Sequence, residues 1–93
     1  MNTANLQLEG LLLALGSLMR ALKNKGLLTE AEIQDMLREA EARAAGEARP
    51  EGLSAANVHA VMFPIRFLER DLATEEPQSY AELATAVARE RRV

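Results

Sequence analysis

Cysteine is missing from this 93-residue chain, and so is tryptophan. Without cysteine there are no disulfide staples, no thiol nucleophile and no thiolate metal site, so a hydrophobic core or a subunit interface has to supply the stability. Aromatic side chains are nearly absent: Phe63, Phe67 and Tyr80 are the whole set. The core is therefore aliphatic, built from Leu, Val, Ile, Met and Ala, which suits helices packing on helices better than a sheet. Histidine occurs once, at His59, with no His-x-x-x-His or Glu-x-x-His spacing around it. That leaves no recognisable metal site and few pairings of nucleophile and base. Long apolar runs are lacking as well. Leu11 to Leu15 lies between Glu9 and Arg20, far short of the roughly 20 residues that a membrane span needs. No Lys or Arg precedes it as in a secretory signal, so we expect a cytoplasmic protein.

What is present points to a small helical domain. The chain is 48% apolar and 27% charged, which argues for a globular fold over disorder, and its length predicts one domain spanning residues 1–93. The net charge is only -3, and its distribution is more informative. Residues 1–26 carry three basic groups against one acidic, residues 27–78 five against eleven, and residues 79–93 three against two. Mildly basic ends around an acidic middle suit self-association better than nucleic-acid binding, which favours a concentrated positive face.

Local signals mark four helices, or five. The first starts near Thr3 or Asn5 and stops at Gly26, after Lys23 and Lys25, which complement the negative end of the helix dipole. Thr29 and Glu32 have the spacing of a capping box, with Leu28 and Ile33 as a hydrophobic staple, and open a second helix with Ile33, Met36, Leu37, Ala40 and Ala44 on one face. The short turn before it predicts an antiparallel hairpin of helices 1 and 2. Gly46 to Gly52 reads as a loop. Ser54 caps a third helix, with Leu53 and Val58 as its staple, whose main face is Val58, Val61, Met62, Ile65, Leu68 and Leu72. Pro64 predicts a kink there, or a break with a new helix. A second loop covers Thr74 to Gln78, and Ser79 with Glu82 caps a last helix that frays over Arg89 to Val93.

Two helices carry more apolar surface than one buried side requires. In the first, Leu8, Leu11, Leu12, Leu15, Leu18, Met19 and Leu22 form a broad stripe expected to face the core. Leu6 and Leu13 fall outside it, beside Gly10, Ser17 and Ala21. In the third, Ala56, Ala60, Phe63 and Phe67 form a strip opposite the main face. A bundle this small has room for one central helix, and a homodimer resolves the competition. Leu6, Gly10, Leu13, Ser17, Phe63 and Phe67 are the expected interface. The alternative is that helices 1 and 3 pack on each other while 2 and 4 cover the outside.

One polar stripe competes for a role. His59, Arg66 and Arg70 fall in line on helix 3, and two guanidinium groups there suit a carboxylate or phosphate. Ion pairing with acidic helix 2 or with a partner explains the same residues. Near the end of the chain, Tyr80, Leu83 and Ala84 stand in the order Tyr-x-x-Leu-Ala, and the segment Ser79 to Val87 resembles the first helix of helix-turn-helix units. Such a unit reads DNA with its second helix, which the six residues after Val87 do not provide, so no DNA-binding residue is carried over. The expectation is an all-α, non-enzymatic interaction module without metal or cofactor. A small-ligand or anion-binding module and a nucleic-acid-binding regulator stand as alternatives.

Overall fold

A computed structural model describes residues 3–48 and 54–90. They form four helices and no strand: α1 Thr3–Asn24, α2 Glu30–Ala48, α3 Ala55–Ala73 and α4 Tyr80–Glu90. The short-range signals act where the spacing placed them. Thr29 Oγ1 accepts from the Glu32 amide at 3.1 Å while Glu32 Oε1 accepts from the Thr29 amide at 2.8 Å. Ser79 and Glu82 repeat the pair at α4, at 3.0 and 3.1 Å. Ser54 Oγ accepts from the Asn57 amide at the start of α3. At the end of α1 the Gly26 amide bonds the Lys23 carbonyl and the Leu27 amide the Leu22 carbonyl, both at 3.0 Å. This pair of bonds defines a Schellman cap, and it requires the positive φ of 74° that Gly26 supplies.

Of the two outcomes expected at Pro64 the break is absent, and one expected loop boundary is corrected. Pro64 lies inside α3 without ending it, so no fifth helix starts there. Proline removes one amide bond, but Met62 before it and Phe67 and Leu68 after it are all buried, and that packing carries the helix through. Likewise α2 continues through Gly46 to Ala48. The rest of the expected Gly46–Gly52 loop lies outside the described residues, as do Leu53 of the staple, the side chain of Ala56 and the last three residues of the expected frayed end.

The packing is organised around α3, which meets α1, α2 and α4 in turn. The core draws Leu12 and Met19 from α1, Ile33 and Leu37 from α2, Phe67, Leu68 and Leu72 from α3, and Leu83 and Val87 from α4. All three aromatic rings sit together across the α3–α4 junction. The Phe63 and Phe67 centroids lie 6.1 Å apart and those of Phe67 and Tyr80 5.1 Å, both pairs tilted, a geometry that aromatic quadrupoles favour. The chain measures 41 × 30 × 26 Å.

The apolar faces are narrower than the pattern suggests. Of the broad α1 stripe only Leu12 and Met19 are buried, while Leu11, Leu15 and Leu18 are exposed. The buried line is Leu12, Gly16 and Met19, rotated by roughly 60° from the expected stripe at 100° per residue. Gly16 stands in that line because the Asp71 carboxylate of α3 occupies the place that a side chain would need. Met36 and Val61, both assigned to core faces, are also exposed.

Candidate functional site

The most heavily bonded polar group is Asp71 on α3, buried to 7% exposure. Arg20 of α1 spans to it. Its Nη2 donates to Asp71 Oδ1 at 2.7 Å, to the Asp71 carbonyl at 2.9 Å and to Thr74 Oγ1 at 3.0 Å. Thr74 closes the helix end by donating to the same carbonyl from its hydroxyl, at 2.8 Å, and from its amide, at 3.2 Å. The other carboxylate oxygen rests on the α1 backbone at Gly16, where any β-carbon would collide with it. A buried carboxylate without its cation is costly, so Gly16, Arg20, Asp71 and Thr74 act together as a clamp between α1 and the C-terminus of α3.

A second, half-buried acidic arrangement joins α2 to α3. Burial and then the adjacent Glu41 carboxyl, through a hydrogen bond and like charge, push Glu69 up to about 7, against the opposing pull of Arg66 and Arg38. Below that pH the Glu69 carboxyl holds a proton. Neither arrangement was anticipated from sequence. For Glu69 a signal exists: it falls between Ile65 and Leu72 on the main apolar face of α3.

The three residues of the polar stripe are not brought together. His59 is half-buried and lines an open groove of about 590 Å³ between α1 and α3, with Leu6, Leu8, Glu9, Phe63 and Tyr80. Arg66 lies close enough to Glu69 to favour its ionised form. Arg70 pairs with Glu90 of α4 at 3.0 Å and borders a different groove of about 740 Å³, with Thr74, Glu82 and Arg89. The Arg70 guanidinium is thus engaged by a carboxylate of its own chain.

Of the six expected interface residues, Leu6, Gly10, Leu13 and Ser17 lie exposed on α1, and Phe63 is half-buried at the rim of the His59 groove. Phe67 is corrected: at 0% exposure it is the largest fully buried side chain, held by Phe63 and Tyr80, and is not available to a partner. Against this one loss, α1 exposes more than expected. Leu6, Leu11, Leu13, Leu15 and Leu18 are between 38% and 57% exposed, a concentration of apolar surface that in soluble monomers marks contact sites. Among the described residues, no helix is long and apolar enough to cross a membrane.

Fold and surface together define an all-α protein with a central third helix and a leucine-bearing outer face on its first. Comparison with family models, with curated proteins and with solved structures finds no match.

Proposed function

We propose that the protein is a non-enzymatic, cytoplasmic protein–protein interaction module that self-associates through the outer face of α1, as a homodimer. The observation that carries this reading is the exposure of five leucines on one helix whose core contacts are complete without them. Phe63 and Leu6, on the two walls of the His59 groove, extend the apolar surface from α1 onto α3. The dimer then presents a helical surface to a partner of another kind.

Size-exclusion chromatography with light scattering tests the reading across a dilution series. A native mass of twice the 10.2 kDa chain, reduced to one chain by Leu13→Glu with helicity retained, is the expected result. A native chain that is monomeric throughout refutes it.

A further inference from the structure

We propose that the groove between the N-terminal halves of α1 and α3 binds a small organic cation with an apolar body, an alkyl- or arylalkyl-ammonium whose charge is held by Glu9. The groove is formed within one chain and needs no second copy.

It opens where the seam between α1 and α3 loses its apolar filling. The buried line of α1 is Leu12, Gly16 and Met19. One turn back along it stand Leu8 and Glu9, four and three residues before Leu12. On α3 the line of Phe67 and Phe63 runs back, four residues at a time, to His59. Each helix thus turns an ionisable residue toward the seam at the point where an apolar one would close it. Both are half-buried, and they line one groove of about 590 Å³ with Leu6, Leu8, Phe63 and Tyr80. A local break in the packing pattern that brings no structural return is the mark of a functional position.

The Glu9 carboxylate is set apart by its lack of a partner. Among the described residues, the other carboxylates that are buried or half-buried are engaged: Asp71 by Arg20, and Glu69 and Glu41 by each other, with Arg66 and Arg38 nearby. Glu9 has no hydrogen bond or ion pair from its side chain, and neither has the His59 ring. Since no sealed side-chain nitrogen or oxygen among the described residues lacks a hydrogen bond, both groups are open to the groove. A carboxylate that has given up part of its hydration recovers the loss only from a donor.

Charge and shape select the class of ligand. Among the described residues no Lys or Arg lines the groove, and the first turns of α3 and α4 are already capped by Ser54 and Ser79. Its fixed charge is therefore the single negative charge of Glu9, which attracts cations and repels anions. An ammonium has three donors, enough for the carboxylate and for the acceptor nitrogen of a neutral imidazole. Leu8, Phe63 and Tyr80 pack against the core and offer the body of the ligand an apolar wall. Such a wall with a few convergent polar groups, at a volume within the roughly 300–1,000 Å³ of small-molecule sites, is the usual form of a ligand pocket. A metal ion is poorly served, because no three His, Cys, Asp or Glu side chains gather among the described residues.

Three probes that share one skeleton test the assignment: phenethylammonium, phenethyl alcohol and phenylacetate, each titrated into the isotope-labelled native chain and followed by nuclear magnetic resonance. The expected result is saturable shifts of the Glu9, His59 and Phe63 amides with the ammonium, about tenfold weaker binding of the alcohol, and weaker binding still of the carboxylate. In Glu9→Gln, with helicity retained, the ammonium should fall to the affinity of the alcohol, whereas Glu39→Gln, at an exposed position on α2, should leave it unchanged. The ranking on the native chain decides the class without any variant. No saturable shift at these amides, or an alcohol or carboxylate that binds as well as the ammonium, overturns the proposal. Undiminished binding of the ammonium to Glu9→Gln overturns it as well, because the charge then lies elsewhere.

Discussion

Helices α1 and α3 begin from similar material and end in opposite circumstances. Each has apolar residues on two sides, but α3 is enclosed by α1, α2 and α4, whereas α1 is held by the single line of Leu12, Gly16 and Met19. What separates them is the kind of residue on the second face. On α3 it is Phe63 and Phe67, of which Phe67 packs between Phe63 and Tyr80 at the start of α4. On α1 it is Gly10, Ala14 and Ser17 between leucines, all exposed, and among the described residues no element of the chain covers them. An apolar face declares that it will be covered; the size of its side chains decides whether the cover comes from within.

The sharpest way to break this contrast is to truncate both second faces. Phe67→Ala empties the core and should cost about 4 kcal/mol, and Leu18→Ala, measured where the protomer is alone, under about 0.5 kcal/mol, both read by urea unfolding. Equal costs would mean that α1 is as enclosed as α3. Next in size is the clamp. Arg20→Ala strands the buried Asp71 carboxylate and should lower stability by about 3 kcal/mol, seen as a loss in thermal midpoint.

The two glycines of α1 refine the comparison further. Gly16→Ala must displace the Asp71 carboxylate and is expected to destabilise by about 1–2 kcal/mol. Gly10→Ala meets nothing in its own chain and should stabilise the isolated protomer by up to about 1 kcal/mol through helix propensity. Opposite signs in calorimetry at low concentration are the signature. The smallest effect is that of pH on the α2–α3 seam. Glu69 is held at about 7 when folded against about 4.5 in the unfolded chain, so between those values the folded state binds the extra proton. Its contribution is full below pH 4.5 and is lost as pH rises through 7. Glu69→Gln keeps a hydrogen-bond donor toward Glu41 and should raise the thermal midpoint at pH 8 relative to the native chain, with little change at pH 4.5.

Much of this was legible in the sequence wherever the determining groups lie within a few residues of one another. Thr29 with Glu32, Ser54 with Asn57 and Ser79 with Glu82 are three apart and identify three helix starts on their own. The doubled apolar faces were legible too. Which doubled helix takes the centre was not, since that is decided by contacts between helices. The rotation of α1 was hidden because leucine stands on almost every side of it, so periodicity had several near-equal solutions and only the contacts with the other helices choose among them. Arg20 and Asp71 are separated by 51 positions, and no local pattern pairs them. The stripe of His59, Arg66 and Arg70 was real as a line on α3, yet Arg70 turns to Glu90 and leaves the other two.

The Arg20 clamp also determines how the molecule comes apart. One guanidinium nitrogen bonds the carboxylate, the last-turn carbonyl and the capping hydroxyl of α3, so α1 cannot lift away without leaving the buried Asp71 carboxylate unpaired. The middle of α1 and the end of α3 therefore belong to one unit of cooperative opening. Their backbone amides should exchange with solvent at a common rate, slower than those at the N-terminal turn of α1.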